Sequence, residues 1–330
     1  MSVDDPDQSA PNDHVLPEHS PEGFRAGFVA LAGVPNVGKS TLMNAVLGQK
    51  VSIATSRPQT TRNRILGIHT VKGLGQILFV DTPGIHKPEK ELNAVMVDTA
   101  LKSIGETDVV LFVVDAQGFT DGRVPAGDRF VAARLVEMGL PVVVAINKID
   151  KVRERAQLFP VMEAYGNLAG LDPRAVVPIS ALNGDGLDVI VKEVLGLLPE
   201  SPQLYPADMS TDQAERFVAA EIIREKLTLQ TQKEVPYSSA VLVEEFSDDT
   251  RRNLLRMRAI IHVERDSQKA IVIGKGGSRL KQIGSQARGD LERFFGRQVY
   301  LDLHVVVDKN WASDPRRLKV LGYERYDSER

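Results

Sequence analysis

One segment near the N-terminus, residues 33–40, constrains the fold more than any other part of the chain. It reads GVPNVGKS and matches the G-x-x-x-x-G-K-[ST] pattern of a loop that cradles phosphate groups with its backbone. The apolar run 28–32 before it predicts a strand, and residues 41–47 after it predict the start of a helix. In such a loop the backbone N–H groups converge on a polyphosphate, Lys39 reaches the terminal phosphates and Ser40 can bind Mg²⁺. The expected ligand is a nucleoside triphosphate.

A second motif, Asp81-Thr82-Pro83-Gly84, follows the apolar strand predicted over residues 77–80. The end of a parallel strand would place Asp81 at the carboxyl edge of a sheet, where it can hold the Mg²⁺ shell. The backbone N–H of Gly84 would then lie near a γ-phosphate. By itself this tetrapeptide is only a turn after a strand, but it lies at the distance from the phosphate loop that a nucleotide-binding domain requires.

A third motif, Asn147-Lys148-Ile149-Asp150, indicates which base is bound. It follows the apolar strand 142–146, and the Asp150 carboxylate could accept hydrogen bonds from N1–H and the exocyclic amine of guanine. Adenine lacks this pair of donors, and a site left with an unpaired carboxylate rejects the wrong base. Asp150 therefore favours GTP over ATP. Ser180-Ala181-Leu182, after the strand 175–179, would supply backbone contacts to the base, although this tripeptide is weak evidence alone.

The polar segment 56–64, SRPQTTRNR, lies between the first two motifs, where a loop that senses the nucleotide is expected. A threonine hydroxyl in such a loop binds Mg²⁺ only when the γ-phosphate is present, so the loop orders with GTP and loosens after hydrolysis. We assign this role to Thr61, with Thr60 as the alternative. Without the neighbouring motifs, a solvated basic loop carrying Arg57, Arg62 and Arg64 would be the better explanation of the segment.

The spacing of apolar runs predicts the architecture around these motifs. Strands near 27–32, 64–71, 76–80, 108–114, 142–146 and 175–179 alternate with segments of helical period. This alternation predicts an α/β domain, a mostly parallel sheet covered by helices on both faces, over residues 25–198. The motifs then fall at strand ends along one edge, where ligands bind in such sheets.

Composition and charge limit the remaining possibilities. The chain of 330 residues has no cysteine, which excludes disulfides, thiolate metal sites and a cysteine nucleophile. It lacks a long apolar run and a signal-peptide pattern, so a soluble protein is expected. Residues 1–24 contain six acidic residues and no Lys or Arg, which predicts a disordered acidic tail. The histidines show no ligand spacing, so no metal is expected beyond the Mg²⁺ that accompanies the nucleotide.

Three prolines within residues 199–206 forbid a continuing helix and indicate a short, stiff linker, which we place at 199–210. Beyond it, residues 211–330 predict a smaller α+β domain. The elements are a helix near 211–230, strands near 237–246 and 255–264, a short apolar run at 270–273, a helical region at 277–295 and a strand at 299–307. Their order reads α-β-β-α-α-β.

A G-x-x-G turn at residues 274–277 lies inside this second unit. Such a turn between two short helices is the geometry with which a KH module holds an RNA backbone. The surrounding segment 251–297 contains twelve Lys or Arg and four Asp or Glu, a local charge of +8 that suits a polyanion. The predicted RNA-binding residues are Ile273, Gly274, Lys275, Gly276, Gly277, Ser278, Arg279 and Lys281.

With both halves considered, residues 25–323 resemble the Era family of bacterial GTPases, which join a P-loop GTPase domain to a C-terminal type II KH domain. The resemblance rests on GVPNVGKS, QTTRNRI, DTPGIHKP, NKID, ISAL, IVIGKGGSRLKQIG and the closing NW…DPRRLKVLGY. It implies a ribosome-assembly factor that binds the 3′ end of 16S ribosomal RNA and the small ribosomal subunit. Two features depart from the family pattern: Val34 stands where relatives often have arginine, and the acidic tail has no counterpart.

The motifs and the resemblance together define the expected site. GTP-binding residues are Gly33, Val34, Pro35, Asn36, Val37, Gly38, Lys39, Ser40, Thr41, Asp81, Thr82, Pro83, Gly84, Ile85, Asn147, Lys148, Ile149, Asp150, Ser180, Ala181 and Leu182. Residues expected to hold Mg²⁺, directly or through water, are Ser40, Thr61 and Asp81. Residues expected to act in hydrolysis are Lys39, Thr61, Gly84 and Asn36.

Hydrolysis is expected to be slow. In many GTPases a glutamine after the D-x-x-G glycine orients the attacking water, but here the residue is Ile85, which cannot hydrogen-bond water. Unassisted turnover should be at or below about 10⁻⁴ to 10⁻² s⁻¹. By resemblance to cation-dependent GTPases, the Asn36 side chain could help to hold a K⁺ ion that supplies positive charge to the transition state. The alternative is that Asn36 only braces the loop.

Other readings of the sequence remain open. The nucleotide could be structural, so that RNA scaffolding is the whole function, or the chain could be a P-loop ATPase or kinase, which Asp150 disfavours. A third alternative is a membrane-surface GTPase whose basic domain binds lipid head groups. We expect a cytoplasmic monomer, with at most weak peripheral association with the inner face of the cell membrane.

Overall fold

A computed structural model describes residues 20–55, 57, 60–85 and 91–323, with the side chains of 91–93 excepted. The predicted acidic tail therefore lies outside the described residues up to position 19. Two sheets organise the chain, and we call the units built around them the first and second domains. The strands of the first domain are β1 (Arg25–Ala32), β2 (Ile65–Val71), β3 (Gly75–Asp81), β4 (Val109–Asp115), β5 (Val142–Asn147) and β6 (Ala175–Pro178).

The first sheet has the order β2-β3-β1-β4-β5-β6. All neighbouring strands run parallel except the hairpin partners β2 and β3. The central strands are buried along nearly their whole length and consist mostly of apolar residues, as expected of strands that are covered on both faces. The predicted mostly parallel sheet is confirmed, and each predicted strand lies within about two residues of its observed bounds.

Helices cover both faces of this sheet, as predicted. The helices of the first domain are α1 (Lys39–Leu47), α2 (Glu91–Gly105), α3 (Ala126–Met138), α4 (Leu158–Gly166) and α5 (Leu187–Leu197). One buried cluster joins the sheet to α1 and α5, and another joins the opposite face to α2, α3 and α4. In the described part of the chain, no helix has the length and hydrophobicity that a membrane crossing would need.

The segment between the domains packs against strands β2 and β3 of the first sheet. The Gln76 amide holds it there, with its oxygen accepting from the backbone N–H groups of Leu204 and Tyr205 at 3.0 and 2.9 Å. Residues 20–24, which the sequence assigned to the disordered tail, are part of this ordered structure. Phe24 is buried and the Ser20 hydroxyl accepts from the Gln203 N–H, because an aromatic side chain gains from burial even in a polar segment.

The second domain has the predicted element order. It comprises α6 (Glu215–Gln230), β7 (Ser239–Asp249), β8 (Leu254–Val263), α7 (Asp266–Ile273), α8 (Ser278–Phe295), β9 (Gln298–Val307) and a final short helix, α9 (Pro315–Val320). Its sheet has the order β7-β8-β9, with β7 antiparallel and β9 parallel to β8. The apolar run 270–273 forms the second half of α7, and α6 begins four residues later than predicted.

Candidate functional site

The loops after β1, β3, β5 and β6 meet at one edge of the first sheet around a cavity of about 440 Å³. Parallel strands end at the same edge, so motifs that are far apart in sequence come together there. Predicted residues that line the cavity are Pro35, Asn36, Gly38, Lys39, Ser40, Thr41, Thr61, Gly84, Asn147, Lys148, Asp150, Ala181 and Leu182. The structure thus brings the three motifs and the polar loop to one site.

Lys39, the first residue of α1, is almost fully buried beneath the phosphate loop. Its ammonium donates to the backbone carbonyls of Gly33 at 3.0 Å and Val34 at 3.1 Å, which fixes the amine under the curve of the loop. Burial lowers the pKa of Lys39 to about 8, and the nearby Asp81 carboxylate opposes this shift. The charge of the Lys39 ammonium is therefore not fully balanced by the protein, and an anionic phosphate would supply the missing negative charge.

Four side-chain oxygens converge beside Lys39. The Ser40 hydroxyl donates to Asp81 Oδ2 at 2.6 Å and lies 2.8 Å from the Thr61 hydroxyl, which lies 3.3 Å from the same carboxylate oxygen. Ser52 also donates to Asp81 Oδ2, at 2.8 Å. Asp81 Oδ1 is buried and has no hydrogen-bond partner among the described residues. Burial raises the pKa of Asp81, against the hydrogen bond from Ser40.

These oxygens fit Mg²⁺, a hard cation that binds carboxylate and hydroxyl oxygens together with phosphate and water. The unpartnered Asp81 Oδ1 is a buried acceptor that a metal-bound water could satisfy. Of the two threonines in the polar loop, Thr61 reaches the cluster, as expected. The Thr60 hydroxyl instead lies 2.7 Å from that of Thr55 and donates to the Arg57 carbonyl at 2.8 Å.

Two glycines allow the motifs to approach each other closely. A Cβ atom at Gly84 would lie 2.7 Å from the Cα of Pro35 in the phosphate loop, which is closer than any side chain tolerates. A Cβ atom at Gly38 would lie 2.3 Å from the Asn147 amide nitrogen, and the φ angle of Gly38 is 101°. Glycine is therefore required at both positions for steric reasons, and at Gly38 for backbone conformation as well.

Asn147 ties the other end of the site together. Its amide nitrogen donates to the Val37 carbonyl at 2.8 Å, and its amide oxygen accepts from the backbone N–H of Ala181 at 2.9 Å. The Ser180 hydroxyl donates to Asp150 Oδ1 at 2.6 Å, which orients an otherwise exposed carboxylate toward the cavity. The segment after β6 thus positions Asp150 as well as the backbone that would face a base.

Lys148 spans the mouth of the site, in a left-handed backbone conformation with φ 65°. Its ammonium donates to the Asn36 carbonyl at 2.7 Å and pairs with Asp115 at 2.7 Å. Asp115 ends β4 and was not among the predicted residues. A carboxylate at the end of a parallel strand on the ligand edge was the available signal for it.

The remaining predicted residues support the loops without lining the cavity. They are Gly33, Val34, Val37, Asp81, Thr82, Pro83, Ile85, Ile149 and Ser180. Ile85 is the clearest departure from the expectation, because its side chain is buried in the core and its N–H donates to the Gly33 carbonyl at 3.2 Å. It is apolar and turned inward, so neither its side chain nor its N–H faces a ligand.

Several lining residues were not predicted. Ile53, Ala54, Thr55, Arg57 and Lys151 come from loops of the first domain, and Leu229 comes from α6 of the second. Ser52, which bonds to Asp81, was also missed. Motif matching cannot find such residues, because each of them only lines the cavity wall or makes a single hydrogen bond, and none belongs to a local sequence pattern.

The predicted RNA turn joins α7 to α8 as expected. Gly274, Gly276 and Gly277 have positive φ angles of 73°, 59° and 79°. A Cβ atom at Gly274 would lie 2.8 Å from the Cβ of Arg279, so this glycine is needed for space as well as for its backbone conformation. Among the predicted contacts, Ile273 packs partly against the core, whereas Lys275, Ser278 and Lys281 are exposed.

Arg279 makes a contact that was not predicted. Its guanidinium donates through Nη1 to the Ile271 carbonyl and so braces the turn, and its contact with phosphate stays a prediction. The Lys275 and Lys281 side chains are exposed beside it.

The polar loop that reaches the metal-ligand cluster also reaches the second domain. Arg62 is 4% exposed, and its guanidinium donates to the backbone carbonyls of Ser239 and Pro236, both at 2.7 Å. The Tyr323 ring lies 5.7 Å from the guanidinium carbon. Burial lowers the pKa of Arg62, but a guanidinium remains charged, so a buried cation joins the two domains.

A second buried arginine contacts the same loop. Arg224 on α6 donates to both carboxylate oxygens of Glu221, at 2.7 and 2.6 Å, and to the Thr60 carbonyl. Burial lowers the pKa of Arg224, but the charge of Glu221 outweighs this effect, so the pKa is raised overall. Thr60, Thr61 and Arg62 are consecutive, so three neighbouring residues contact the metal-ligand cluster and the second domain at once.

Family models match both halves of the chain. The model described as a 50S ribosome-binding GTPase matches residues 28–148, and the KH domain model matches residues 234–312. Among curated proteins, GTPase Era of Syntrophus aciditrophicus is 49% identical over 300 residues, which cover 91% of this chain and 95% of that protein. GTPase Era of Geotalea uraniireducens is 48% identical over 302 residues, which cover 91% and 98%.

Solved structures of Era show the same two-domain arrangement. A crystal structure of Era in complex with MgGDPNP and nucleotides 1506–1542 of 16S ribosomal RNA has a TM-score of 0.86, at 42% identity, covering 91% of this chain and 99% of that one. A variant of Aquifex aeolicus Era bound to GDP·AlF4⁻ also has a TM-score of 0.86, at 42% identity, covering 91% and 100%. A likeness of this extent spans both domains.

Proposed function

The chain belongs to the Era family of GTPases, and from that premise we propose that it is a GTP-dependent switch that binds the 3′ end of 16S ribosomal RNA. It would act on the small ribosomal subunit during assembly and rRNA maturation. It hydrolyses GTP with its P-loop domain and carries a C-terminal KH domain. We propose a GTPase domain up to 198, a linker at 199–210 and the KH domain at 211–330, and we confine the tail to residues before 20, because residues 20–24 pack with the first domain.

The Era structure that contains both a nucleotide and RNA supports 16S ribosomal RNA as the ligand of this chain. That Era chain was crystallised with a GTP analogue, Mg²⁺ and a 16S fragment, and its two-domain arrangement resembles the one described here. We therefore propose that the domain arrangement of this chain is the one that binds RNA. The description of the family model for residues 28–148 refers to the large subunit, so a binding test should include both subunits.

On the nucleotide side, the proposed roles follow from the contacts. Lys39 would neutralise the terminal phosphates from below the loop, and the Gly84 N–H would donate to the γ-phosphate. Asp150 would accept from the guanine edge, with Ser180 holding its orientation at 2.6 Å. A carboxylate that Ser180 has already oriented loses less freedom when the base binds, which favours guanine recognition.

Ser40, Thr61 and Asp81 would hold Mg²⁺ together with the nucleotide. Bound there, the ion would neutralise charge on the β- and γ-phosphate oxygens. Thr61 contributes its hydroxyl from the polar loop, so the position of this loop depends on the ligands of the cluster. Loss of the γ-phosphate would weaken the hold on Thr61 and on the residues that follow it.

In hydrolysis, a water molecule attacks the γ-phosphorus, the bond to the β–γ bridging oxygen breaks, and GDP leaves. No glutamine follows Gly84 to orient the water, and the Ile85 side chain lies in the core, so we propose slow intrinsic turnover. We further propose that Asn36, which is exposed at the cavity, helps to hold a K⁺ ion that stabilises the transition state. Equal rates in K⁺ and Na⁺ buffers, with and without Asn36→Ala, would exclude this role.

On the RNA side, the turn at 274–277 would lie against the nucleic acid backbone. Three glycines with positive φ keep side chains away from it, and Lys275 and Lys281 are free to meet phosphates. Arg279 would brace the turn through its bond to the Ile271 carbonyl and could donate its remaining N–H groups to phosphate.

The contacts of residues 60–62 are the observation that carries the switch proposal. Thr61 joins the metal-ligand cluster, while Thr60 and Arg62 bond to the second domain through Arg224 and through two backbone carbonyls. A nucleotide that orders Thr61 therefore favours this domain arrangement. By linkage, RNA must tighten GTP to the degree that GTP tightens RNA.

The deciding experiment measures the affinity for a 16S 3′-end RNA in the presence of GDP and of a non-hydrolysable GTP analogue. Tighter RNA binding with the analogue supports the switch, and equal affinities would contradict it. Gly274→Asp tests whether the turn at 274–277 binds the RNA. Loss of multiple-turnover phosphate release in Lys39→Ala would distinguish an enzyme from a scaffold that binds nucleotide only for stability. We propose a cytoplasmic monomer, and flotation with anionic vesicles would test for weak peripheral membrane association.

A further inference from the structure

Helix α6 of the second domain packs against the nucleotide-binding side of the first domain. Arg224, in the middle of α6, donates to the Thr60 carbonyl. Glu225, the next residue, pairs with Lys50, and Lys50 also pairs with Asp290 of α8 at 3.0 Å. The contact with Thr60 brings α6 beside the cavity, because Thr60 lines the cavity wall.

Leu229, one turn beyond Glu225, lines the cavity itself. Among the described residues that form the cavity wall, it is the one that the second domain contributes. Its side chain is 49% exposed, whereas Ile223 and Leu227 of the same helix are fully buried in the domain's own core. The exposed face of Leu229 therefore serves no packing within the described part of the second domain.

An exposed leucine on a cavity wall suits an apolar part of a ligand. A nucleotide offers two such parts, the faces of its base and the carbons of its ribose. Leu182, which is 76% exposed, lines the same cavity from the first domain, as does Asp150. Ligand pockets commonly combine apolar walls with a few polar groups that fix orientation, and both kinds of residue are present here.

We propose that Leu229 is a positioning residue for bound guanine nucleotide and that α6 forms a wall of the nucleotide site contributed by the second domain. This inference rests on the proposed nucleotide site and extends it to the rate of nucleotide release. Release then requires the nucleotide to leave the apolar contact with Leu229. Any ligand that shifts the second domain, RNA included, alters the rate at which nucleotide exchanges.

The test measures release of tritium-labelled GDP from the full chain in Mg²⁺ buffer after a chase with unlabelled GDP. Tritium leaves the ribose chemically unmodified, which matters because Leu229 would contact that region. Removing one half-exposed leucine side chain should speed release about three- to tenfold in Leu229→Ala. Leu229→Met, which keeps the apolar volume, should release GDP at close to the wild-type rate.

Leu74→Ala is the matched control, since Leu74 is 60% exposed and lies in the turn between β2 and β3, outside the cavity wall. Thermal unfolding of each variant checks that the fold is intact. Release by Leu229→Ala within twofold of wild type, or equal acceleration in Leu74→Ala, would overturn the inference and leave the proposed nucleotide site standing. Failure of the wild type to retain GDP in Mg²⁺ would overturn both.

Discussion

Replacing Arg62 with lysine should uncouple nucleotide from RNA with little damage to either site. The guanidinium donates in two directions, to Ser239 and to Pro236, both at 2.7 Å. An ammonium is a compact charge that cannot reproduce this fork, so at least one backbone carbonyl loses its partner. A hydrogen bond from a charged group contributes about 1.5–3 kcal/mol, which corresponds to a roughly 10- to 150-fold loss in the ratio of docked to undocked domains.

The assay is RNA affinity measured with GDP and with a GTP analogue, for wild type, Arg62→Lys and the control Arg134→Lys. Arg134 is an exposed α3 residue paired with Glu137, and its replacement should change nothing. We expect Arg62→Lys to lose most of the advantage that the analogue gives to RNA, while GDP affinity stays within about threefold of wild type. If RNA affinity with the analogue remains within twofold of wild type in the folded variant, the coupling role of Arg62 is refuted.

Three further substitutions test other parts of the structure. Gly84→Ala places a Cβ atom 2.7 Å from the Pro35 Cα, and overpacking of this kind should weaken GTP-analogue binding about tenfold in equilibrium titrations. Gly274→Ala forces a side chain into a backbone with φ 73°, and we expect about tenfold weaker RNA binding with unchanged nucleotide binding. Burial lowers the pKa of His262, against the charge of Asp308 at 3.3 Å. Below about pH 6.5 the unfolded chain then binds the proton more readily, so stability falls as pH drops, by at most about 1.4 kcal/mol per unit. Urea unfolding at pH 7 and 5 should show a smaller loss for His262→Gln than for wild type, and equal losses would remove this assignment.

The first domain was largely predictable because its signals are local. The strands that precede the motifs consist mostly of apolar residues, and each motif follows such a run directly, so the position of the strand indicates the position of the motif. Parallel strands in turn bring their carboxyl ends together, which placed Lys39, Asp81 and Asp150 at one edge of the sheet. The helix that contains residues 270–273 was harder to place, because a run of four apolar residues fits a strand as well as a helix.

Residues that act through supporting contacts were missed, or they make contacts that the motifs did not predict. Ser52 and Asp115 each complete an ionic or hydrogen-bonded group from outside the motifs. Ile85 was assigned to the nucleotide from its position in a motif, yet its side chain turned into the core, because an apolar residue gains more from burial than from facing phosphate. Arg279 was assigned to phosphate, and the structure adds a hydrogen bond from its guanidinium to the Ile271 carbonyl that no motif predicted.

The sequence by itself determined the chemistry of this protein, since phosphate, Mg²⁺ and guanine recognition each depend on a few consecutive residues whose backbone conformation is local. Only the tertiary structure decided how the two domains meet. Arg62, Arg224, Leu229 and the carbonyls of residues 236 and 239 are separated by up to 177 positions, and no local pattern relates them. Their contacts follow from the way two packed domains fit together. Whether a buried charge stabilises the protein depends on partners that it meets only when the domains are packed.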